Sequence, residues 1–106
     1  KDKLNPRLVI ADGAQTGRVF LIDREVITIG RESQQTAWEV QLIDGAVSRP
    51  HARIELHKEQ YSISDLGSAN GTFVNEGFVI APVKLNDKDV IRIGKTRLIF
   101  RLNESP

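Results

Sequence analysis

Residues 52–57 read Ala-Arg-Ile-Glu-Leu-His, and their strict alternation decides the class of fold. Successive side chains of an extended chain point to opposite faces, so Ala52, Ile54 and Leu56 share one side while Arg53, Glu55 and His57 share the other. One apolar and one polar face is what a half-buried antiparallel strand requires. Working outward, the chain repeats this signal as short runs rich in Val, Ile, Phe and Tyr, broken by Gly, Asn, Asp and Pro. Upstream, strands are predicted at Leu8 to Ala11, Arg18 to Ile22, Val26 to Ile29 and Glu39 to Ile43. Downstream, they are predicted at Tyr61 to Asp65, Thr72 to Val74, Phe78 to Ile80, Val83 to Leu85, Asp89 to Ile93 and Thr96 to Leu102. The last two are joined by a Gly-containing connection of hairpin length and should pair directly. No window carries apolar residues at i, i+3, i+4 and i+7 for two turns; residues 34–42 come nearest and offer at most one turn inside a loop. The expectation is an all-β sandwich or barrel of about eleven short, mostly antiparallel strands with loops gathered at its ends.

The bulk numbers agree with one such unit. At 106 residues, 40% of them hydrophobic, residues 1–106 fit a single domain that builds its own core. The first residue is Lys1, which suggests a piece of a longer protein. There is no cysteine, so disulfides, thiolate catalysis and Cys-based zinc sites are excluded, and a reducing, cytoplasmic setting is expected. Fifteen Lys and Arg face fourteen Asp and Glu, evenly in both halves, and no global field steers the protein toward nucleic acid. The basic residues Lys88, Arg92, Lys95, Arg97 and Arg101 alternate with core positions and read as a solvated strand face. No apolar run approaches the ~20 residues needed to span a bilayer, so no membrane insertion is expected.

Three polar loops hold the informative residues. Gly30-Arg31 ends one strand, Val47-Ser48-Arg49-Pro50-His51 precedes the alternating strand, and Leu66-Gly67-Ser68-Ala69-Asn70-Gly71 follows Asp65. Loops of an antiparallel sandwich collect at two ends, but counting strands alone leaves open whether these three share one. In order and approximate spacing, Gly30-Arg31, Ser48-Arg49-x-His51 and Asp65-x-x-Ser68-x-Asn70-Gly71-Thr72-x-Val74-Asn75 resemble the signature of the forkhead-associated (FHA) domain family. Leu85-x-x-x-Asp89-x-Ile91-x-Ile93-Gly94 resembles that family's closing hairpin, and the likeness runs from about Leu8 to Leu102. It implies an FHA-like sandwich of eleven strands whose loops at one end bind phosphothreonine peptides.

A phosphothreonine carries roughly −1.5 to −2 charge at neutral pH and three acceptor oxygens, so its receptor needs a fixed cation and neutral donors. The resemblance implies Arg31 as principal phosphate ligand, its guanidinium offering paired donors, with Gly30 freeing the backbone before it. It implies that Ser48 donates its hydroxyl to a phosphate oxygen, that Arg49 adds a cation or a peptide contact, and that Asn70 holds the main chain of the peptide. His51, Gly71 and Thr72 are loop supports in the same scheme, and Ser68, Asn75 and Glu76 are candidates for secondary contacts. Taken without the resemblance, Arg31 is a surface arginine, Ser48 a turn residue and Asn70-Gly71 a hairpin pair tolerant of positive φ.

Two departures stand out. Ala69 occupies a position where many FHA domains place a threonine or serine that also contacts phosphate, and Ser68 beside it is the available substitute. Glu32 places an acid directly after Arg31, before Trp38, which reads as either core filling or an interface anchor, the former being favoured. Ser48, His51 and Asp65 supply the residue types of a hydrolytic triad, but no strand-to-helix nucleophile elbow accompanies them. No catalysis, metal or cofactor is therefore expected. The partner is a phosphothreonine protein or peptide written by a Ser/Thr kinase, met by a domain expected to be monomeric in isolation. The competing expectation is an FHA-fold assembly module that binds independently of phosphorylation.

Overall fold

A computed structural model describes residues 4–103, and these form two packed sheets. In chain order the strands are β1 Leu4–Asp12, β2 Val19–Leu21, β3 Val26–Arg31, β4 Val40–Leu42, β5 Ala52–His57 and β6 Gln60–Asp65. They continue as β7 Thr72–Val74, β8 Gly77–Phe78, β9 Val83–Lys84, β10 Val90–Ile93 and β11 Thr96–Asn103. One sheet runs β2-β1-β11-β10-β7-β8 and the other β4-β3-β5-β6-β9. All eleven expected strands are present. β1 starts earlier than expected, because its pairing with β11 resumes beyond Pro6 at Leu4↔Asn103 after a register shift, a long-range contact that local alternation does not display.

Inward positions of the two sheets make one core. Leu8, Ile10, Ile91, Ile93, Leu98 and Phe100 come from the six-stranded sheet, and Ile27, Ile29, Val40, Leu42, Ala52, Ile54 and Ile63 from the five-stranded sheet. Each fully buried side chain of this size contributes about 1.5–3 kcal/mol. On β5 the alternation holds at Ala52 and Ile54, but Leu56 is only half-buried, being the last inward position before the turn where the sheet runs out.

Eight of the nine strand pairs are antiparallel, and β3 with β4 is parallel, matching Ile29 with Val40 and Arg31 with Leu42. That exception resolves the question of the loops. Because β4 runs the same way as β3, both finish at one end of the sandwich. There β5 begins and β6 finishes, through Ile29↔Ala52 and Ala52↔Asp65. Thr72↔Ile93 places the start of β7 and the β10–β11 turn beside each other. Arg31, the Ser48 loop and the Asn70 loop therefore share one rim.

Candidate functional site

Arg31 closes β3, and its backbone N–H donates to the Ser48 carbonyl at 3.0 Å. Its guanidinium is half-held: Nη1 donates to the Gly45 carbonyl at 3.3 Å, while the buried Nε has no partner among the described residues. The guanidinium therefore keeps donor capacity that the protein does not use. The reason for a glycine at position 30 differs from the one expected. Its backbone is an ordinary strand, and a Cβ there would lie 2.8 Å from Trp38 Nε1. Trp38 is not core filling either. It is half-buried, laid over Gly30, and donates its indole N–H to the Arg31 carbonyl at 2.9 Å.

The Ser48 loop is braced from behind by His51, which is wholly buried. The Ser48 amide donates to His51 Nδ1 at 3.0 Å, so that nitrogen is unprotonated. Nε2 then carries the hydrogen and donates to the Gly71 carbonyl at 2.9 Å. One imidazole thus ties two loops together, and both its nitrogens are spent. That removes the base from any Ser-His-Asp arrangement, since such a histidine must accept the serine proton. Ser48 Oγ accepts from the Ala69 amide at 3.0 Å. A hydroxyl has one donor and two acceptor sites, so this contact leaves the Ser48 O–H to donate outward.

Asp65 organises the third loop. Its Oδ2 accepts from the amides of Gly67 and Ser68, and its Oδ1 accepts from Ser68 Oγ at 2.6 Å and Thr72 Oγ1 at 2.7 Å. Partial burial pushes its pKa up, but the Ser68 hydroxyl, Thr72 hydroxyl and Ser68 amide outweigh that and hold it below 3.8. Gly71 follows at φ +86°, and a Cβ there would strike the Phe78 ring. Asn70 is exposed and donates through Nδ2 to the Ala46 carbonyl at 2.9 Å, which leaves its carbonyl oxygen open to a peptide N–H. Arg49 is exposed and chelates the Glu32 carbonyl through Nε and Nη2 at 3.0 and 2.8 Å. Beside it opens a polar cleft of about 440 Å³ lined by Glu32, Ser33, Gln34, Gln35 and Gln41.

The rim thus gathers a guanidinium with unused donor capacity, a second arginine, a free hydroxyl donor and an amide, all on loops fixed from beneath. The FHA domain family model matches residues 27–94. The chain belongs to the FHA family. The oxoglutarate dehydrogenase inhibitor of Corynebacterium jeikeium is 40% identical over 93 residues, covering 88% of this FHA chain and 62% of that protein. A solved structure from work on phosphothreonine-dependent FHA domain interactions has a TM-score of 0.80 at 33% identity, covering 96% of this chain and 98% of that one. Mycobacterium tuberculosis EmbR, solved with a low-affinity phosphopeptide, has a TM-score of 0.84 at 29% identity, covering 98% of this chain and 26% of that one. The chain spans between about half and two thirds of the length of the curated relatives it matches.

Three secondary positions have side chains engaged within this FHA domain. Ser68 donates to Asp65 and accepts from the Gly71 amide at 2.8 Å, so its one O–H is consumed and cannot replace the hydroxyl missing at Ala69. Asn75 is tied to Asp89 Oδ1 and to the Val90 amide, each at 2.9 Å. Glu76 is held by Arg92 at 3.1 Å. Both support the turn after β7, at φ 49° and 69°. Sequence reasoning missed Asp44. Its Oδ2 accepts from Thr96 Oγ1 at 2.7 Å and the Lys95 amide at 2.8 Å, and Oδ1 accepts from the Ala46 amide at 2.9 Å. Burial raises its pKa, yet hydrogen bonds from Thr96, Ala46 and Lys95 hold it below the ordinary carboxylate range. It staples the Ser48 loop to the β10–β11 turn, a contact across half the sequence that no local pattern announces.

Among the described residues, no group of three or more His, Cys, Asp or Glu is placed to hold a metal ion. No helix there is long and apolar enough to cross a membrane. Two arginines of β11 are paired, Arg97 with Asp12 at 3.3 Å and Arg101 with Asp87 at 3.2 Å.

Proposed function

We propose that this FHA domain is a phosphothreonine-dependent interaction module of kinase-linked signalling, without catalytic chemistry of its own, working in the cytoplasm. The observation that carries the reading is the Arg31 guanidinium, of which only Nη1 has an acceptor among the described residues, on the same rim as the Ser48 hydroxyl. A phosphate dianion offers the acceptors both lack. Arg31 and Ser48 bind the phosphate, Arg49 adds charge beside it, and Asn70 takes the peptide backbone, while Gly30, His51, Gly71 and Thr72 keep the loops in shape. The solved relatives, one from work on phosphothreonine-dependent interactions and one holding a phosphopeptide, support this assignment.

Calorimetry with one peptide in Thr, phospho-Thr and phospho-Ser forms tests it. The phospho-Thr form should bind at least about a hundred-fold tighter than its unphosphorylated twin, since losing charge-assisted bonds worth about 1.5–3 kcal/mol each accumulates quickly. Arg31→Ala should abolish that difference without shifting the thermal midpoint. Affinity should fall from about pH 7 to 5 as the phosphate, with a second pKa near 6, loses its dianion. Equal binding of the phosphorylated and plain peptides would leave the second reading, a phosphate-independent assembly module, for which the missing hydroxyl at Ala69 is the motive.

A further inference from the structure

Large apolar side chains left in water are informative when they adjoin a binding site. Phe78 is 58% and Ile80 is 88% exposed, flanking the buried Val79 on and just beyond the edge strand β8. The Phe78 ring rests on Gly71, where a Cβ would come within 2.5 Å of Phe78 Cε1. Gly71 is the residue whose carbonyl receives the His51 N–H and whose neighbour is Asn70. The apolar surface is therefore continuous with the rim. Phe78 also packs against Phe73, ring centroids 5.3 Å apart, and the Arg92 guanidinium covers Phe73 at 4.1 Å. The charges here are already matched: Glu76 takes Arg92 at 3.1 Å and Arg97 at 4.0 Å. A firm, electrically balanced aromatic surface offers nothing to an acidic side chain and much to an apolar one.

We infer that Phe78 and Ile80 form a ledge that receives an apolar side chain of the phosphorylated partner, from the segment running past Asn70. This rests on the phosphothreonine reading and deepens it, since the phosphate fixes one point of the peptide and the ledge a second. Selection among many phosphothreonines then comes from the residue that reaches the ledge.

An oriented phosphothreonine peptide library, followed by titration of the best peptide and its alanine twin at the selected position, tests the ledge on the intact chain. The wild type should enrich Leu, Ile, Val, Met or Phe at one flanking position and bind that peptide about ten-fold tighter than the alanine twin. Phe78→Gln and Ile80→Ser should bind the two peptides equally, with the phosphate requirement intact. Ile80 is almost wholly exposed, so its substitution reports on docking even where Phe78→Gln loosens the Gly71 turn. The ledge is overturned if the wild type shows phosphate dependence but no apolar preference, or if both variants keep the preference. It is also overturned if the wild type sediments as a dimer that both variants dissolve, because a second copy then occupies the surface. Indifference to phosphorylation and to Arg31→Ala would instead overturn the underlying reading, and the ledge with it.

Discussion

The two connections that bound β5 solve opposite problems. At its far end, Lys58 and Glu59 turn the chain in two residues at φ 49° and 65°, closing His57↔Gln60 with backbone alone. At its near end, Val47 to His51 must hold the Ser48 O–H outward with no acceptor for it among the described residues, so its shape is imposed from behind by His51, Asp44 and Ala69. A turn that only reverses the chain is specified by its own dihedrals. A loop that presents unsatisfied groups needs a scaffold that satisfies everything else.

The two histidines break this comparison most sharply. His51→Ala strands the Ser48 amide and the Gly71 carbonyl and leaves a cavity, so it should cost about 3–4 kcal/mol in denaturant melts. His57→Ala, on the exposed turn, should stay within about 0.5 kcal/mol. Asp65 comes next: Asp65→Asn should cost about 2 kcal/mol near neutral pH by weakening bonds to a charged acceptor. Because the folded pKa of Asp65 is depressed, its contribution is present above its ordinary value of 3.8 and is lost as pH falls through the folded value. Thermal midpoints should therefore drop below about pH 4 in the wild type and follow a flatter curve in Asp65→Asn. Ala69→Thr adds a hydroxyl at the rim and should raise phosphopeptide affinity about ten-fold by calorimetry. An unchanged affinity would mean that the Ser48 O–H already saturates that side of the phosphate. The smallest effect belongs to the far turn, where Glu59→Gly should raise stability by about 0.5 kcal/mol, relief of left-handed backbone offset by chain entropy.

How much of this was legible in the sequence follows the same division. Strand positions were, because alternation is local, and Ala52-Arg53-Ile54 displays it in three residues. Arg31, Ser48 and Asn70 were legible as a set only through a family signature, since singly each has an ordinary surface explanation. The convergence of their loops was not, because it depends on β4 running parallel to β3, a pairing that neither strand's pattern encodes. Asp44, Ser68 and the reason for Gly30 were hidden for a related cause. Each is defined by a partner's atoms, Thr96 for the first, Gly71 for the second, Trp38 for the third, and a side chain's spare donors can be counted only once those partners are in place.

The indole laid on Gly30 has a practical consequence. Trp38 is the sole tryptophan of the chain, and its N–H is bonded to the carbonyl of the arginine proposed to take the phosphate. The protein thus carries a built-in fluorophore hydrogen-bonded to the backbone of that arginine. Its emission is a label-free optical signal for that strand end, silent to events at the distant turn.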